Sequence, residues 1–356
     1  MKIVIKVGTQ SILSAEGVPF ESIMLHLVEQ LISLKKAGHQ LVLVSSGAVA
    51  SGRKAASQFG RKYGNSIGEK QVLASLGQHE LISLYASMFR THKMLASQLL
   101  LTKQDFQTRQ HYLNISRLLH EILGDENIIP IINENDSVAI EELMFTDNDE
   151  LAGLIAAQIN ADKLIILSNV EGVYTGHPDE PDSKFIPLID PKQHSWPEIS
   201  TLKSLHGRGG MISKLATARK MSNLGICTHI ASIEHKEVIN RLVNNESLGT
   251  TVLPSARKSN LKRWIAYSSD KNTGSIFINS CLFDIIKENK RIISILPVGI
   301  EKCAGNFKRG DLVEILTSDN KKIGLGLAKY DAQKLNEYLG QKDKPEFIHY
   351  DHLHIF

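Results

Sequence analysis

The sequence predicts an α/β fold in which a wound, mainly parallel sheet is sandwiched by helices and followed by a second, small domain resembling a β-barrel. Short aliphatic runs alternate with helical periodicity from residue 1 to about residue 250, the pattern of a wound α/β sheet. Beyond about residue 270 the runs are short and punctuated by glycine, which is typical of a small β-rich domain. A length of 356 residues, with 42% hydrophobic and 22% charged residues, suits a globular protein of two domains.

Six aliphatic runs in the first 250 residues predict buried strands, because short apolar runs bounded by turn residues fit the interior of a parallel sheet. Stretches with apolar residues three and four positions apart predict the helices between them. The predicted strands cover residues 2–7, 40–45, 94–101, 127–132, 163–168 and 226–231, and the predicted helices cover residues 21–36, 71–89 and 150–159.

A change of composition at residues 249–263 predicts a domain boundary, because a Thr-Thr-Val-Leu-Pro stretch leads there into clustered basic residues. We expect a first domain at residues 1–255, a linker at 256–271 and the small domain at 272–356. Within the small domain, the predicted strands cover residues 275–278, 294–297, 311–316 and 323–329, and a short helix covers residues 331–339.

Composition and charge exclude several classes of protein. The net charge is only +3, so no global basic field indicates binding to nucleic acid or to a membrane surface. Three cysteines without paired spacing argue against a zinc ribbon or a disulfide framework and for a reducing compartment. The sequence has no signal-peptide pattern and no apolar run of the ~20 residues that span a bilayer, so we expect a cytoplasmic protein.

Two polar clusters lie directly after a predicted strand and directly before a predicted helix, at residues 133–137 (Asn-Glu-Asn-Asp-Ser) and 147–149 (Asp-Asn-Asp). Ligands of open α/β sheets collect at the carboxyl ends of strands. Amides and carboxylates suit a substrate that carries both an ammonium and a carboxylate. The alternative is a turn followed by a helix cap at Asp147, but the clusters hold more polar residues than capping needs, so a substrate site is favoured.

Lys6 stands in the otherwise aliphatic first strand, two positions before Gly8. A buried ammonium is costly unless it meets an anion, and glycine lets the backbone approach a ligand closely, so this pair suits a carboxylate or a phosphate. The alternative is a lysine whose charged end reaches solvent from the end of the strand.

Two further glycine turns lead into helical stretches, at residues 45–52 and 206–214. The first offers backbone amides to an anion, although capping alone also explains it. The second places Lys214 in a first helical turn, where the dipole disfavours a cation unless a negative ligand binds; the alternative is a mobile loop with a solvated lysine. Neither a Gly-x4-Gly-Lys-Ser/Thr loop nor, after the first strand, a Gly-x-Gly-x-x-Gly is present, so these parts indicate phosphoryl transfer outside those two folds.

In this order the motifs closely resemble those of glutamate 5-kinase, a family of the amino acid kinase superfamily, over essentially the whole chain. The resemblance rests on Lys6-Val7-Gly8-Thr9, Ser45-Ser46-Gly47-Ala48, Ile132-Asn133-Glu134-Asn135-Asp136 with Asp147-Asn148-Asp149, and Gly209-Gly210-Met211 leading to Lys214. It implies ATP-dependent phosphorylation of the L-glutamate side-chain carboxylate to L-glutamyl 5-phosphate, the first step of proline biosynthesis, with Mg²⁺ as the usual metal. It further implies feedback inhibition by proline and a homo-oligomer, either a dimer or a tetramer.

The resemblance also implies roles for individual residues. Lys6, Lys214 and Asp149 are expected to be catalytic, with the lysines on the phosphates and the moving phosphoryl group and Asp149 orienting them. L-Glutamate is expected to contact Ser46, Gly47, Asn133, Asp136, Asp147 and Asn148. ATP is expected to contact Lys6, Gly8, Ser168, Asn169, Tyr174, Arg208, Gly209, Gly210, Met211, Ile212, Ser213 and Lys214, with Tyr174 near the base, and the metal ligands stay open.

The chain departs from the family pattern at two places. Ser168-Asn169 stands where the family more often has Thr-Asp, and Thr146 replaces a frequent glycine. Ser168 keeps a hydroxyl, as threonine would. The change of the pair nevertheless leaves open which contact it makes with ATP.

The C-terminal part resembles a PUA domain, through residues 296–300, 305–307 and 309–311. PUA domains elsewhere bind RNA, but residues 272–356 carry 12 Lys and Arg against 11 Asp and Glu, a poor electrostatic footprint for nucleic acid. We expect a structural or regulatory module. Two alternatives stay open: another amino acid kinase, of the aspartate or N-acetylglutamate type, and an RNA-binding protein that acts through the PUA-like domain.

Overall fold

The computed structural model describes residues 1–14, 16–106, 109–139, 147–176, 180–191, 196, 210–255, 274–287 and 293–355. The chain divides into two compact units, one formed by Met1–Asp105 with Gln110–Arg257 and the other by Phe106–Arg109 with Lys258–Phe356. Within the described ranges, no helix combines the length and the hydropathy that crossing a bilayer requires.

The strands of the first unit form one large sheet and one two-stranded ribbon. In chain order they are β1 (Lys2–Val7), β2 (Gln40–Ser45), β3 (Leu95–Leu101), β4 (Ile128–Glu134), β5 (Lys163–Ser168), β6 (Val173–Tyr174), β7 (Phe185–Ile186), β8 (Leu188–Ile189), β9 (Cys227–Ser232) and β10 (Thr250–Val252). The eight-stranded sheet has the order β3-β4-β2-β1-β5-β9-β10-β8, and β6 pairs with β7. Every neighbouring pair in the large sheet is parallel except β9 with β10, which confirms the predicted mainly parallel sheet.

Helices connect the strands of this unit. They are α1 (Thr9–Ile12), α2 (Glu21–Lys36), α3 (Ala48–Gln58), α4 (Ile67–Arg90), α5 (Arg109–Gly124), α6 (Asn148–Ile159), α7 (Met211–Asn223) and α8 (Val238–Val243).

The two faces of β1 have different neighbours. Ile3 and Ile5 belong to a core cluster that also contains Leu31 of α2, Tyr85 of α4 and Ile239 of α8. Successive side chains of a strand point to opposite faces, so Lys6 lies on the other face, where α6 packs against β1 and α7 packs against α6. That alternation places a lysine beside the starts of two helices.

The predicted element boundaries hold closely in this unit. The strands at 2–7, 40–45 and 163–168 and the helix at 21–36 have the predicted bounds. The helix predicted at 71–89 begins earlier, at Ile67, because Ser66 caps it. The Ser66 hydroxyl accepts a hydrogen bond from the Glu69 backbone N–H at 3.4 Å. The Glu69 carboxylate in turn accepts one from the Ser66 backbone N–H at 3.1 Å. This reciprocal pair is a capping box.

The second unit is a small sheet with its own core. Its strands are β11 (Gly274–Ile278), β12 (Ile300–Gly305), β13 (Leu312–Leu316), β14 (Lys322–Leu327) and β15 (Leu353–Ile355), in the order β12-β11-β13-β14-β15, and its helices are α9 (Ser280–Lys287) and α10 (Ala332–Tyr338). All pairings are antiparallel except β11 with β13. Phe307 and Phe347 are fully buried in its centre, with ring centroids 5.6 Å apart.

One strand prediction in this unit is wrong. Residues 294–297 form only an isolated bridge between Ile295 and Ile348. Pro297 begins a short 3-10 turn that ends at Gly299. Proline lacks the N–H that a strand ladder needs, so the strand begins at Ile300, after the turn.

Candidate active site

Three charged side chains meet at the centre of the large sheet. Lys6 Nζ lies 2.6 Å from Asp149 Oδ1, and Lys214 Nζ lies 2.9 Å from Asp149 Oδ2. The exposed fractions are 5% for Lys6, 8% for Lys214 and 0% for Asp149. The structure therefore brings together the three residues that the resemblance marked as catalytic, and both alternatives of a solvated lysine are excluded.

Each of the three residues is placed by the end of an element. Lys6 is the penultimate residue of β1, Asp149 is the second residue of α6, and Lys214 is the fourth residue of α7. The carboxyl end of a strand and the amino ends of two helices thus converge, which is where ligands of open α/β sheets bind. The carboxylate is also favoured in the first turn of α6 by the helix dipole.

Burial and charge act in opposite directions on this triad. Burial lowers the pKa of Lys6 below its usual value, and the Lys214 charge adds to the effect while Asp149 opposes it. Burial alone would raise the pKa of Asp149, but the two ammonium groups outweigh burial and hold that pKa below its usual value. Asp149 is therefore a carboxylate shared by two cations, and the ionised triad keeps a surplus positive charge for an anionic ligand.

Asp147 caps α6, as the alternative interpretation of the acidic cluster expected. Its Oδ1 accepts from the backbone N–H of Asp149 at 2.9 Å and of Glu150 at 3.1 Å. Its Oδ2 is buried and accepts no hydrogen bond of good geometry from the part of the chain that the structure describes. Burial, and next the Asp149 charge, raise the pKa of Asp147 against the opposing effect of the Ser213 hydroxyl. Oδ1 therefore caps the helix, and Oδ2 takes no part in the capping.

A chain of side-chain amides links α4 to the start of α6. Asn133 Nδ2 donates to Gln78 Oε1 at 2.8 Å, and Asn148 Nδ2 donates to Asn133 Oδ1 at 2.9 Å and to Ser46 Oγ at 2.7 Å. Three of the residues predicted to contact glutamate are therefore linked, because Asn148 bonds both Ser46 and Asn133. Asp136 lies half-buried in the turn that follows β4.

The turn that carries Ser46 is held by a close helix crossing. Gly47 is the N-cap residue of α3 and has a φ of 121°, which glycine adopts readily. A Cβ on Gly52 of α3 would lie 1.8 Å from the carbonyl oxygen of Leu73, and one on Gly77 of α4 would lie 1.8 Å from that of Ala48. Only glycines permit this distance, and it brings Gln78 of α4 up to the polar site.

Three residues predicted to contact ATP, namely Ser168, Asn169 and Tyr174, have different surroundings. Asn169 is exposed, and its amide is bonded to α1: Oδ1 accepts from Ser11 Oγ at 2.7 Å and Nδ2 donates to the Gln10 carbonyl at 3.2 Å. Ser168 ends β5 and is half-buried. Tyr174 packs on Phe185 with ring centroids 5.3 Å apart. In place of the frequent aspartate, this chain thus has an amide that ties the end of β5 to α1, beside Gly8.

Among the described residues, no side chain caps the amino end of α7. Gly210 is the N-cap residue in extended conformation, and it has no side chain that could bond the first amides of the helix. Met211, Ile212 and Ser213 form the first turn with Lys214. Uncapped N–H groups at a helix start bind anions such as phosphate. Arg208 and Gly209, and also Thr146, lie outside the described residues.

Comparisons with known proteins match the sequence to a family of kinases. Residues 1–232 match the amino acid kinase family, and residues 274–345 match the PUA domain. The chain is 41% identical to glutamate 5-kinase of Chlorobaculum tepidum over 99% of its own length and 97% of that protein. It is 39% identical to glutamate 5-kinase of Bacteroides thetaiotaomicron, over 99% of this chain and 98% of that protein.

The chain belongs to the glutamate 5-kinase family. A third relative, glutamate 5-kinase of Dictyoglomus thermophilum, is 37% identical over 96% of this chain and 90% of that protein. Among solved structures, UMP kinase from Bacillus anthracis aligns at 15% identity with a TM-score of 0.48, over 72% of this chain and 96% of that chain. The family assignment comes from the sequence relatives.

The predicted resemblances are confirmed, both to the glutamate 5-kinase family and to a PUA domain. The fold class is confirmed with them, since the amino acid kinase match falls on the large, mainly parallel sheet and the PUA match on the small unit. An amino acid kinase uses ATP as its phosphoryl donor, so ATP use follows from the family.

Two residues that bond to side chains of this site were not predicted from the sequence. Gln78 bonds Asn133, and Ser11 bonds Asn169. A signal for Gln78 was present, because Gly77 precedes it inside a predicted helix, and a glycine there often marks a close backbone contact. Ser11 had no such signal, since a serine shortly after a strand is equally explained by a turn.

Proposed function

We propose that the protein transfers the γ-phosphoryl group of ATP to the side-chain carboxylate of L-glutamate, giving L-glutamyl 5-phosphate and ADP. The observation that carries the proposal is the buried Lys6–Asp149–Lys214 triad, in a chain whose relatives are named glutamate 5-kinase. The product assigns the enzyme to the first step of proline biosynthesis.

In this reaction an oxygen of the glutamate carboxylate attacks the γ-phosphorus, and the bond from that phosphorus to the oxygen bridging to the β-phosphate breaks. Two anions approach each other, so the barrier falls only if cations neutralise the charge and hold the reactants in line. Lys6 and Lys214 supply the two ammonium groups, on opposite oxygens of Asp149. Asp149 fixes their positions, and no covalent enzyme intermediate is needed.

Glutamate is assigned to the polar site beside the triad. Ser46, Asn133 and Asn148 form one hydrogen-bonded group, and Asp136 lies in the turn directly after β4. An ammonium group binds carbonyl and carboxylate oxygens. The acidic and amide residues therefore suit the amino-acid end of the substrate, and Gly47 lies next to Ser46 in the same turn.

ATP is assigned to the edge formed by the ends of β1 and β5 and the start of α7. Gly8 lies close to Lys6, since a Cβ added there would be 3.6 Å from Lys6 Nζ. The uncapped first turn of α7 and the two lysines suit the phosphates, while Ser168 and Tyr174 lie along the nucleotide segment. Asn169 contributes through its bonds to α1.

The residues present fit a divalent metal such as Mg²⁺. Asp147 Oδ2 is a buried carboxylate oxygen that accepts no hydrogen bond of good geometry from the described residues. Mg²⁺ is commonly held by one or two carboxylates together with substrate phosphates and water. Asp147 would hold the ion, which would supply further neutralisation of the phosphate charge.

The proposal extends to regulation and assembly as the family resemblance implies: proline feedback inhibition, a homo-oligomer, and action in the cytoplasm. The kinase alternatives acting on aspartate or N-acetylglutamate are not favoured by the named relatives. The PUA unit is assigned a structural or regulatory role, and retention of structured RNA on a filter, decreasing with salt, would show RNA binding instead.

The first experiment is ADP release with ATP and Mg²⁺, comparing L-glutamate with aspartate, N-acetylglutamate, carbamate and UMP. Glutamate-dependent release, with acyl phosphate trapped by hydroxylamine, is expected for the wild type and is expected to be lost in Lys214→Ala. Lys220→Ala is the matched control, because Lys220 lies on the same helix with a 55% exposed side chain. Release stimulated by none of the substrates, or equally by all, would overturn the proposal.

A further inference from the structure

We propose that Gln78 is a positioning residue for substrate recognition: through Asn133 it fixes Asn148 so that the Asn148 carbonyl oxygen accepts a hydrogen bond from the substrate's ammonium. This inference rests on the proposed function and names one residue that sets its specificity. It starts from the amide chain between α4 and α6.

The orientation of each amide in the chain follows from one backbone donor. A side-chain amide has a donor end and an acceptor end, and its partners decide which is which. The Glu134 backbone N–H, which can only donate, points at one end of the Asn133 amide at 2.9 Å. That end is therefore the oxygen, Oδ1.

The other two orientations then follow in sequence. The Asn133 nitrogen points to Gln78, so Gln78 presents its oxygen at 2.8 Å. Asn148 presents its nitrogen to Asn133 Oδ1 at 2.9 Å, and the same nitrogen donates to Ser46 Oγ at 2.7 Å. Both donor hydrogens of Asn148 are thereby engaged within the protein.

The amide chain ends in an acceptor. Asn148 Oδ1 is buried and accepts no hydrogen bond from the residues that the structure describes. A buried carbonyl oxygen without a hydrogen bond is destabilising, so such a group is retained where a ligand supplies the donor. The ammonium of an amino acid supplies three donors and no acceptor, which is the complement of this site.

Gln78 completes the arrangement from outside the substrate site. It lies half-buried on α4, and its Oε1 accepts the hydrogen bond that Asn133 Nδ2 donates. Without an acceptor at this position, Asn133 keeps an unsatisfied donor and is free to move away from Asn148. The expected consequence is weaker recognition of the ammonium, with the phosphate side of the site unaffected.

The test compares L-glutamate with glutarate, which has the same carboxylates but no ammonium. The readouts are kcat/KM for each acid by ADP release, with hydroxamate trapping, and KM for ATP. For Gln78→Met, which removes the acceptor at similar size, we expect KM for glutamate to rise and the glutamate-to-glutarate preference to fall about fivefold, the effect of one net hydrogen bond. KM for ATP is expected to stay within about twofold.

Two more variants test the polarity of the bond and guard against a failure of Gln78→Met to fold. Gln78→Glu keeps an acceptor for Asn133 and is expected to retain the preference. Gln78→Lys turns a donor toward a donor and is expected to lose it. The matched control is Gln158→Met on α6, because Gln158 Nε2 bonds Tyr112 and Ser116 of α5 at 2.7 and 3.1 Å, outside the amide chain. It is expected to lower the melting temperature without changing the preference.

The inference fails if Gln78→Met and Gln78→Lys keep the wild-type preference, or if Gln158→Met lowers it equally. These outcomes are distinct from a failure of the proposed function, in which the wild type shows no glutamate-dependent ADP release.

Discussion

At the scale of single residues, one carboxylate determines the electrostatics of the site. Asp149 is fully buried and shared between Lys6 and Lys214. Removing one member of a buried ion pair leaves an uncompensated charge, which costs far more than the pair contributes. The same surplus of positive charge is what a phosphate would neutralise, so stability and catalysis depend on the same atoms.

We expect Asp149→Asn to lower glutamate-dependent ADP release at least ~100-fold, because the lysines lose the group that positions them. The free energy of unfolding is expected to fall by about 3 kcal/mol, and ATP is expected to raise the melting temperature more than in the wild type. Steady-state kinetics and thermal denaturation measure these effects. Lys220→Gln, which alters an exposed contact at 3.9 Å, is expected to change neither; an active, stable Asp149→Asn would contradict the assignment.

Asp147 is expected to show the opposite relation between stability and activity. Its pKa is raised above the usual value of 3.8 by burial and by Asp149, so its ionised form opposes folding. Asp147→Asn retains the capping oxygen and removes that charge, so we expect a higher melting temperature near neutral pH, by about 2 °C, with weaker activity.

The pH dependence of that gain follows from the direction of the shift. A group with a raised pKa in the folded state favours folding fully below its unfolded-state pKa and loses that contribution as the pH rises through the folded pKa. The stability difference between Asp147→Asn and wild type is therefore expected to shrink as the pH falls toward 3.8. Urea denaturation across this range measures it, and a gain independent of pH would refute the explanation.

At the scale of elements, the crossing of α3 and α4 sets the shape of the site. Gly52 and Gly77 face each other, and a Cβ on Gly77 would lie 2.1 Å from the Gly52 nitrogen. Because the obstructing atoms belong to backbones, the helices must separate to accept a methyl group. Gln78 follows Gly77 on α4 and Ser46 lies in the turn before α3, so separating the helices is expected to move one residue away from the other.

We expect Gly77→Ala to lower stability by about 1–3 kcal/mol and to raise KM for glutamate. Gly68→Ala is the control on the same helix, since a Cβ there meets nothing within 4 Å. It is expected to increase stability by about 0.5–1 kcal/mol through helix propensity alone. Equal effects of the two substitutions in denaturation and kinetics would show that the crossing is not critical.

At the scale of the whole molecule, each unit has a buried core of its own. Phe347 is fully buried in the smaller core and packs against Phe307 and Tyr330. We expect two transitions in calorimetry, with ATP and glutamate raising the one that belongs to the kinase unit. Phe347→Ala, costing about 3–5 kcal/mol, is expected to lower the other transition and to leave ADP release intact. A single transition, with its temperature lowered by Phe347→Ala, would contradict the expectation that the two units unfold separately.

The sequence was sufficient for the fold class, because buried strands are local signals, and the members of the triad were expected from the resemblance to the family. The cost of burying an ammonium favoured an anion beside Lys6, and the fold shows that Asp149 supplies it, at 2.6 Å. The strand predicted at 294–297 failed because Pro297 interrupts the ladder. Gln78 and Ser11 bond to residues that are distant in the sequence. Only the packing of the folded chain brings these partners together.

The crossing of α3 and α4 also has a genetic consequence. Every missense change in a glycine codon introduces a Cβ, and at Gly52 and Gly77 that atom would overlap a neighbouring carbonyl oxygen at 1.8 Å. Neither codon therefore has a neutral amino-acid replacement one mutation away. Natural variation in this enzyme should bypass both positions even where the surrounding helix surfaces drift freely, and a lineage that altered one of them would need compensating changes in the opposite helix.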